Sequence, residues 1–399
     1  MNLKRLNIRP ALALAVAYPM AANAGTFTTL YTFTGTKDAG SPVGRLVYLN
    51  GTLYGVASGN LTTPHSNGVV FALNIATRAL KVLYRFEGGA DGEEPIDLTY
   101  HGGTFYGTTV YGGAGCENQG CGTVFAFDAK TRTETILYEF PEPVGPGHLL
   151  YKSGTLFGTA RLGGASGDGA VFAIDLQSGA EKTLYSFTGN ADGGEPAAAL
   201  LLHNGLLYGT TYFGGGKCDF GCGTVFSLDP SDGTETVLHG FEPGKGGSRP
   251  YDNLVYDNGL IYGATLDGGD NSCGRDGCGT LFSINPQTAA ESTVYTMTSK
   301  HETSAALTAR GKYLYETVVA PTRNRKDIFA GGLVKFNLKT AQRKVIYTFN
   351  EGSRGADGAD PDSPLLYVNG TFYGTTPLGG SGGQSCNNEG CGTIFQYVP

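Results

Sequence analysis

The 399-residue sequence contains no tryptophan, only three methionines and six histidines. The missing tryptophan sets aside the repeat classes that are built around a recurring indole. Segments at helical period are absent, so a helical bundle or solenoid is excluded. Beyond the first two dozen residues, no apolar run is long enough to cross a bilayer as a helix. Charged residues make up 16% of the chain and sum to −7, which removes the basic face that a nucleic-acid binder needs. The 64 glycines follow no G-X-Y order, so collagen is excluded too.

The first 24 residues read as an export leader. Lys4, Arg5 and Arg9 give a basic start, Ala11 to Met20 a short apolar core, and Ala22-Asn23-Ala24 a small-residue cleavage site. The expected mature chain is residues 25–399, a single domain in an oxidising compartment, with no transmembrane segment. It should be a monomer.

What is present is repetition. An LYG-like core recurs at Tyr54, Tyr106, Phe157, Tyr208, Tyr262, Tyr315 and Tyr373. A G-x-V-F-like segment follows each, read with Phe71, Phe125, Phe172, Phe226, Phe282, Phe336 and Phe395 in register. An LYxF segment recurs at Tyr31, Tyr84, Tyr138, Tyr185, His239, Tyr295 and Tyr347. A fourth segment runs from a proline to a tight turn. Asn50-Gly51, Asn204-Gly205, Asn258-Gly259 and Asn369-Gly370 are two-residue hairpin signals. Four short antiparallel strands per 50 or so residues make a propeller blade. In LYGTT, neighbouring residues are all apolar or small, as expected for a strand covered on both faces.

Seven copies predict an all-β, seven-bladed β-propeller. The mature chain opens on a lone LYxF strand, Thr28 to Phe33, and its last strand is of the G-x-V-F type. The N-terminal strand should therefore complete the C-terminal blade and close the ring, removing the open edge that invites aggregation.

The phrase LYGTTYFGGGKCDFGCGTVFSLD from Leu207, with its copies from Phe105, Ile261 and Phe372, resembles the GloVer choice-of-anchor tandem repeat family of exported bacterial proteins. The resemblance covers about residues 26–399. It implies an exported repeat protein and brings no reaction, ligand or cofactor with it. The family is named for varied C-terminal anchors. Here Pro399 follows the last strand directly, so release or periplasmic residence is expected.

All eight cysteines fall in local pairs: Cys116/Cys121, Cys218/Cys222, Cys273/Cys278 and Cys386/Cys391. Each pair lies in one hairpin loop, and different pairs lie on different blades. Zinc needs three or four convergent ligands, and redox catalysis favours Cys-x-x-Cys at a helix start. Four loop disulfides are expected, with no metal and no cofactor.

Function should sit on the face bearing the long loops, held by the rigid ring. Tyr111, Phe213 and Asp267, each before a Gly-Gly, are candidate ligand contacts. So are Arg323 and Arg325 in the divergent sixth repeat, where YETVVAPTRNRKDIFAGG replaces the usual phrase. Asp91, Asp192 and Asp357 sit in recurring Asp-Gly steps and read as turn formers rather than calcium ligands. No catalytic constellation is visible, since the histidines share no repeat position. The leading expectation is a binding or scaffold propeller for a glycan or an extracellular protein. The alternative is a carbohydrate-active hydrolase or lyase with its site in the central funnel, which would need acids and histidine gathered at the central mouth.

Overall fold

The computed structural model describes residues 25–59, 67–114, 120–216, 218, 221–242, 244, 246–270, 277–298, 303–319, 330–349, 355–380, 386 and 389–399. The leader, Arg323, Arg325, Cys116 and Cys273 lie outside them. Seven antiparallel sheets form a seven-bladed β-propeller. Among the described residues there is no α-helix.

Ring closure follows the expected three-plus-one plan. Thr26–Thr32 pairs with Thr393–Val398, with Phe27 opposite Tyr397, and so supplies the outer strand of blade 7. The Asn-Gly hairpins take positive φ at both residues, for example 49° at Asn204 and 88° at Gly205. In all seven outer strands the register slips by one residue just before the tyrosine or histidine of the LYxF phrase. The leading Leu, Val or Ile is thus a bulge residue, and the bulge re-aims the ring that follows.

The recurring residues are explained at the seams between blades. A phenylalanine ending each outer strand meets, edge to face, the third-strand phenylalanine of the next blade. The pairs are Phe33–Phe71, Phe86–Phe125, Phe140–Phe172, Phe187–Phe226, Phe241–Phe282 and Phe349–Phe395, with centroids 5.1–5.5 Å apart. Each such pair adds about 0.5–1.5 kcal/mol beyond its buried area. The glycine of the G-x-V-F phrase packs on the proline of the next inner strand: a Cβ on Gly223 would lie 2.6 Å from Pro250 Cδ. The glycine of LYG is needed for a second reason, since a Cβ on Gly209 would lie 2.5 Å from Phe226 Cζ.

One seam departs from this pattern. Between blades 5 and 6, Met297 stands where the outer-strand phenylalanine would be, and Ser304 where the proline would be. The reading of Phe336 as a member of the Phe71 series is corrected here. Phe336 pairs with Leu314, two residues from the expected position, and Val334 pairs with Glu316 as Phe71 pairs with Gly55. A glutamate in place of glycine needs room, and valine in place of phenylalanine provides it. Glu316 is fully buried, with Arg343 Nη2 at 3.5 Å.

Stapled blades share one more device. Cys218–Cys222 and Cys386–Cys391 are disulfides with Cα atoms 5.4 Å apart. Cys121 and Cys278 are also disulfide-bonded. At the base of these four loops two buried threonine hydroxyls meet: Thr109 and Thr123, Thr211 and Thr224, Thr265 and Thr280, Thr376 and Thr393, at 2.9–3.0 Å. Blades 1, 3 and 6 put Ala57/Val69, Ala160/Ala170 and Val318/Gly332 there instead.

Candidate functional site: the central channel

The inner strands are short or kinked. In blades 2 and 5 each is split into two segments, Glu93–Pro95 with Thr99–His101 and Ser248–Pro250 with Val255–Asp257. The breaks fall between the recurring proline and leucine. There the side chains enter the channel instead of joining a ladder. Just before the proline, Ser41, Glu94, Glu195, Arg249 and Asp360 all hold left-handed backbone, φ 53–56°. That conformation is costly for a residue other than glycine, more so before proline, and such strain gathers at sites of function. Backbone hydrogen bonds to the preceding blade hold it in place, such as Glu195 N to Asp168 O at 2.8 Å and Arg249 N to Cys222 O at 2.7 Å.

The result is a cavity of about 380 Å³ on the ring axis. Its lining includes starts of inner strands and the end of a second strand at Arg161, so it opens on the long-loop face. Blade 1 supplies Arg45, and behind it lies Asp97 of blade 2, 1% exposed. Arg45 grips Asp97 Oδ2 through Nη2 at 2.6 Å and Nε at 3.0 Å, and its backbone N–H donates to Oδ1 at 2.7 Å. His148 of blade 3 places Nδ1 3.0 Å from the same Oδ2. Burial alone would raise the Asp97 carboxyl. The Arg45 and His148 charges outweigh it and hold the group well below the usual carboxylate range.

Across the cavity, blade 5 supplies Tyr251 and Asp252. Asp252 is 3% exposed, and among the described residues neither carboxylate oxygen meets a partner at full hydrogen-bond geometry, the Ser304 hydroxyl being the nearby donor. Burial pushes its carboxyl up to about 7; the nearby Ser304 hydroxyl opposes the rise and the Glu316 charge adds to it. Blade 7 contributes Asp362, whose carboxyl is raised to about 6 by the protein packed around it, although the side chain reaches solvent inside the channel. Arg161 is held by Glu195, with Nη2 at 2.7 Å from Oε2. Tyr251 is 47% exposed, and its hydroxyl feels the charges of Arg161, Asp252 and Asp362.

The loop candidates fall elsewhere. Tyr111 ends the second strand of blade 2 and is 37% exposed. Asp267 is engaged by Arg249, Nη1 to Oδ2 at 3.0 Å. Phe213 lines a second, more open hollow of about 800 Å³ with Asp168, Asn190 and Ala191. The Asp-Gly aspartates tie their own loops. Asp192 accepts from Tyr185 Oη at 3.1 Å and Thr188 N at 2.8 Å, and Asp91 and Asp357 likewise accept from Tyr84 and Tyr347. Among the described residues no three His, Cys, Asp or Glu are placed to hold a metal ion.

The channel residues escaped the sequence reading because they are the part that does not repeat. Between the recurring proline and leucine the blades read VGR, ID, GH, AAA, YDN and DSP. A short variable insert between fixed anchors, polar in an apolar frame, was the available signal. The gathering of acids with a histidine at the central mouth, which the enzyme alternative required, is present.

Among solved structures, the fold is similar to a chain of the mitotic checkpoint complex, with TM-score 0.55 and 12% identity, covering 98% of this chain and 99% of that one. It is also similar to oligogalacturonate lyase in complex with manganese, with TM-score 0.56 and 11% identity, covering 94% and 96%. A third is the extracellular domain of the one-component system BT4673 from B. thetaiotaomicron, with TM-score 0.59 and 11% identity, covering 93% of this chain and 40% of that one. At these identities the likeness is one of fold. No curated protein matches the sequence. The family model described as the Gloeobacter/Verrucomicrobia repeat matches residues 13–215 and 115–329, and the chain belongs to that family.

Proposed function

We propose that this is an exported binding propeller whose ligand is a saccharide seated in the central channel. The observation that carries the reading is the convergence of Arg45, His148, Tyr251, Asp252 and Asp362, from four blades, on one cavity, with Asp97 buried behind Arg45 and His148. A polar cavity with one exposed aromatic ring suits a sugar: the ring stacks on its apolar face, and the acids accept from its hydroxyls. The disulfides support export by the leader. A glycan array followed by calorimetry on the purified protein tests the reading. Binding should weaken at least tenfold in Asp252→Asn. No saccharide binding at millimolar concentration would remove it.

One observation favours a second reading, a hydrolase or lyase. Asp252 is pushed up to about 7 while Asp97, buried behind the Arg45 and His148 that line the same cavity, is held low, and carboxyls with separated protonation states are how acid and base roles are divided. Release of reducing ends or unsaturated products at catalytic rates, abolished in Asp252→Asn, would favour the enzyme.

A further inference from the structure

The channel ends in an aromatic path. Tyr251 stands at the channel wall, 47% exposed. Its ring meets Tyr212 edge-on, with centroids 6.0 Å apart, and Tyr212 meets Phe213 edge-on at 4.6 Å. Phe213 then opens into the hollow lined by Asp168 and Asn190. Tyr212 and Phe213 follow Gly-Thr-Thr at the end of a second strand, and Tyr251 lies in the break of the next blade's inner strand. The path therefore runs over the long-loop face from blade 5 across blade 4 to a hollow lined by residues 168, 189–191, 213–216 and 221 of blades 3 and 4. It joins residues of the two cavities, Tyr251 of the channel and Phe213 of the hollow, through Tyr212.

The charges along the path are one-sided. Both cavity arginines are already neutralised, Arg45 by Asp97 and Arg161 by Glu195. Among the described residues Asp252, Asp362 and Asp168 have no arginine or lysine partner. Above pH 7, where Asp252 and Asp362 are ionised, an acidic sugar would set its carboxylate against these groups, and among the described lining residues no arginine or lysine is left unpaired to offset it. Like charge at close range costs binding energy. Hydroxyl and amide donors meet acceptors instead.

From this we infer that the ligand is a linear, non-acidic oligosaccharide. Its end unit sits in the channel beside Asp252 and its following units lie across Tyr251, Tyr212 and Phe213 toward Asp168. This deepens the saccharide reading and rests on it. Each ring stacked on a sugar should contribute about the tenfold in affinity that one exposed aromatic contact supplies, a little over 1 kcal/mol.

The test is calorimetry with length series from one to six units: chito- and cello-oligosaccharides as neutral probes and oligogalacturonates as the acidic one. Affinity should rise with length over the first three or four units of a neutral series and then level off. Tyr212→Ala and, separately, Phe213→Ala should lower affinity for the longer members about tenfold and leave single-unit affinity unchanged. Tyr251→Ala should weaken both. Thermal melts confirm that each variant is folded. Affinity independent of length, or unmoved in both Tyr212→Ala and Phe213→Ala, overturns the path but leaves the channel reading standing. Tightest binding by oligogalacturonates overturns the charge argument. Binding of no probe of any length overturns both.

Discussion

Six seams of the ring and the seventh, between blades 5 and 6, are built on different principles. At the six, phenylalanine meets phenylalanine edge-on and a glycine admits a proline ring. At the seventh, Met297 and Val334 replace the aromatic pair, Ser304 replaces the proline, and Glu316 replaces the LYG glycine. Asn253 bridges that seam by side-chain bonds, donating to Leu307 O and accepting from Leu307 N at 3.0 Å each. Asp252 is buried beside it with unsatisfied oxygens. Regular seams are closed by ring packing, and the acids at their inner ends, Asp97 and Glu195, are paired with arginines. The irregular one carries polar groups that packing alone would reject, and local departures of this kind gather where a protein works.

The comparison can be broken first at a regular seam. Gly209→Val drives a side chain into the fully buried Phe226 ring, and should cost at least about 3 kcal/mol. Urea unfolding measures it. A loss under 1 kcal/mol would mean that the packing accommodates bulk and that the glycine is not required.

The irregular seam should reveal itself through pH. Asp252 is raised from 3.8 to about 7, so between pH 4 and 7 the native protein binds a proton that the unfolded chain has released. Stability should therefore fall as pH rises through that window, by about 2–3 kcal/mol from this group. Asp97, with its carboxyl lowered, acts oppositely: its stabilisation is present above about pH 4 and is lost as pH falls below it. The urea midpoint should be higher at pH 5 than at pH 8, and Asp252→Asn should flatten the difference. Half-buried Glu134 and Glu235, also raised to about 7, will leave a residual slope. An unchanged slope in the variant would contradict the placement of Asp252.

The staples should matter less. Cys218→Ser with Cys222→Ser opens a ring of five residues in blade 4, worth about 2 kcal/mol by chain entropy. The loss should stay local, because the Thr211–Thr224 pair still ties the loop base. Hydrogen exchange confined to the blade 4 loop would fit, and exchange spreading around the ring would not. Smallest of all, Tyr185→Phe should cost about 1 kcal/mol for its bond to Asp192. Tyr295→Phe, at the irregular seam, should cost almost nothing. Its ring packs on Phe336, and no aspartate follows in its loop.

The regular seams were legible in the sequence because they recur. Proline, glycine and two phenylalanines in fixed order, copied around the chain, give blade number, strand order and closure. Phe336 was misread for a physical reason: residues two apart on a strand share a face, so LVKF aligns equally well on either residue of that face. Only pairing with Glu316 settles which one packs. Arg45, Asp97, His148 and Asp252 were invisible for the opposite reason. Each blade contributes a different residue to a common axis, and repeat comparison discards whatever differs. The aromatic candidate Phe213 was found on its own; its neighbours Tyr212 and Tyr251 come from two different phrases of the repeat and meet only in three dimensions.

Because Phe27 faces Tyr397 in one sheet, the first strand of the ring to leave the ribosome waits for the ring's last. Six blades can form as the chain emerges, but the toroid stays a broken circle until the strand Thr393–Val398 has been made. Joining such distant segments carries the entropy of a very long loop, and it slows the last step of folding. Throughout that interval blade 7 lacks its rim, and the segment from Thr26 to Thr32 must reach maturity without finding another partner.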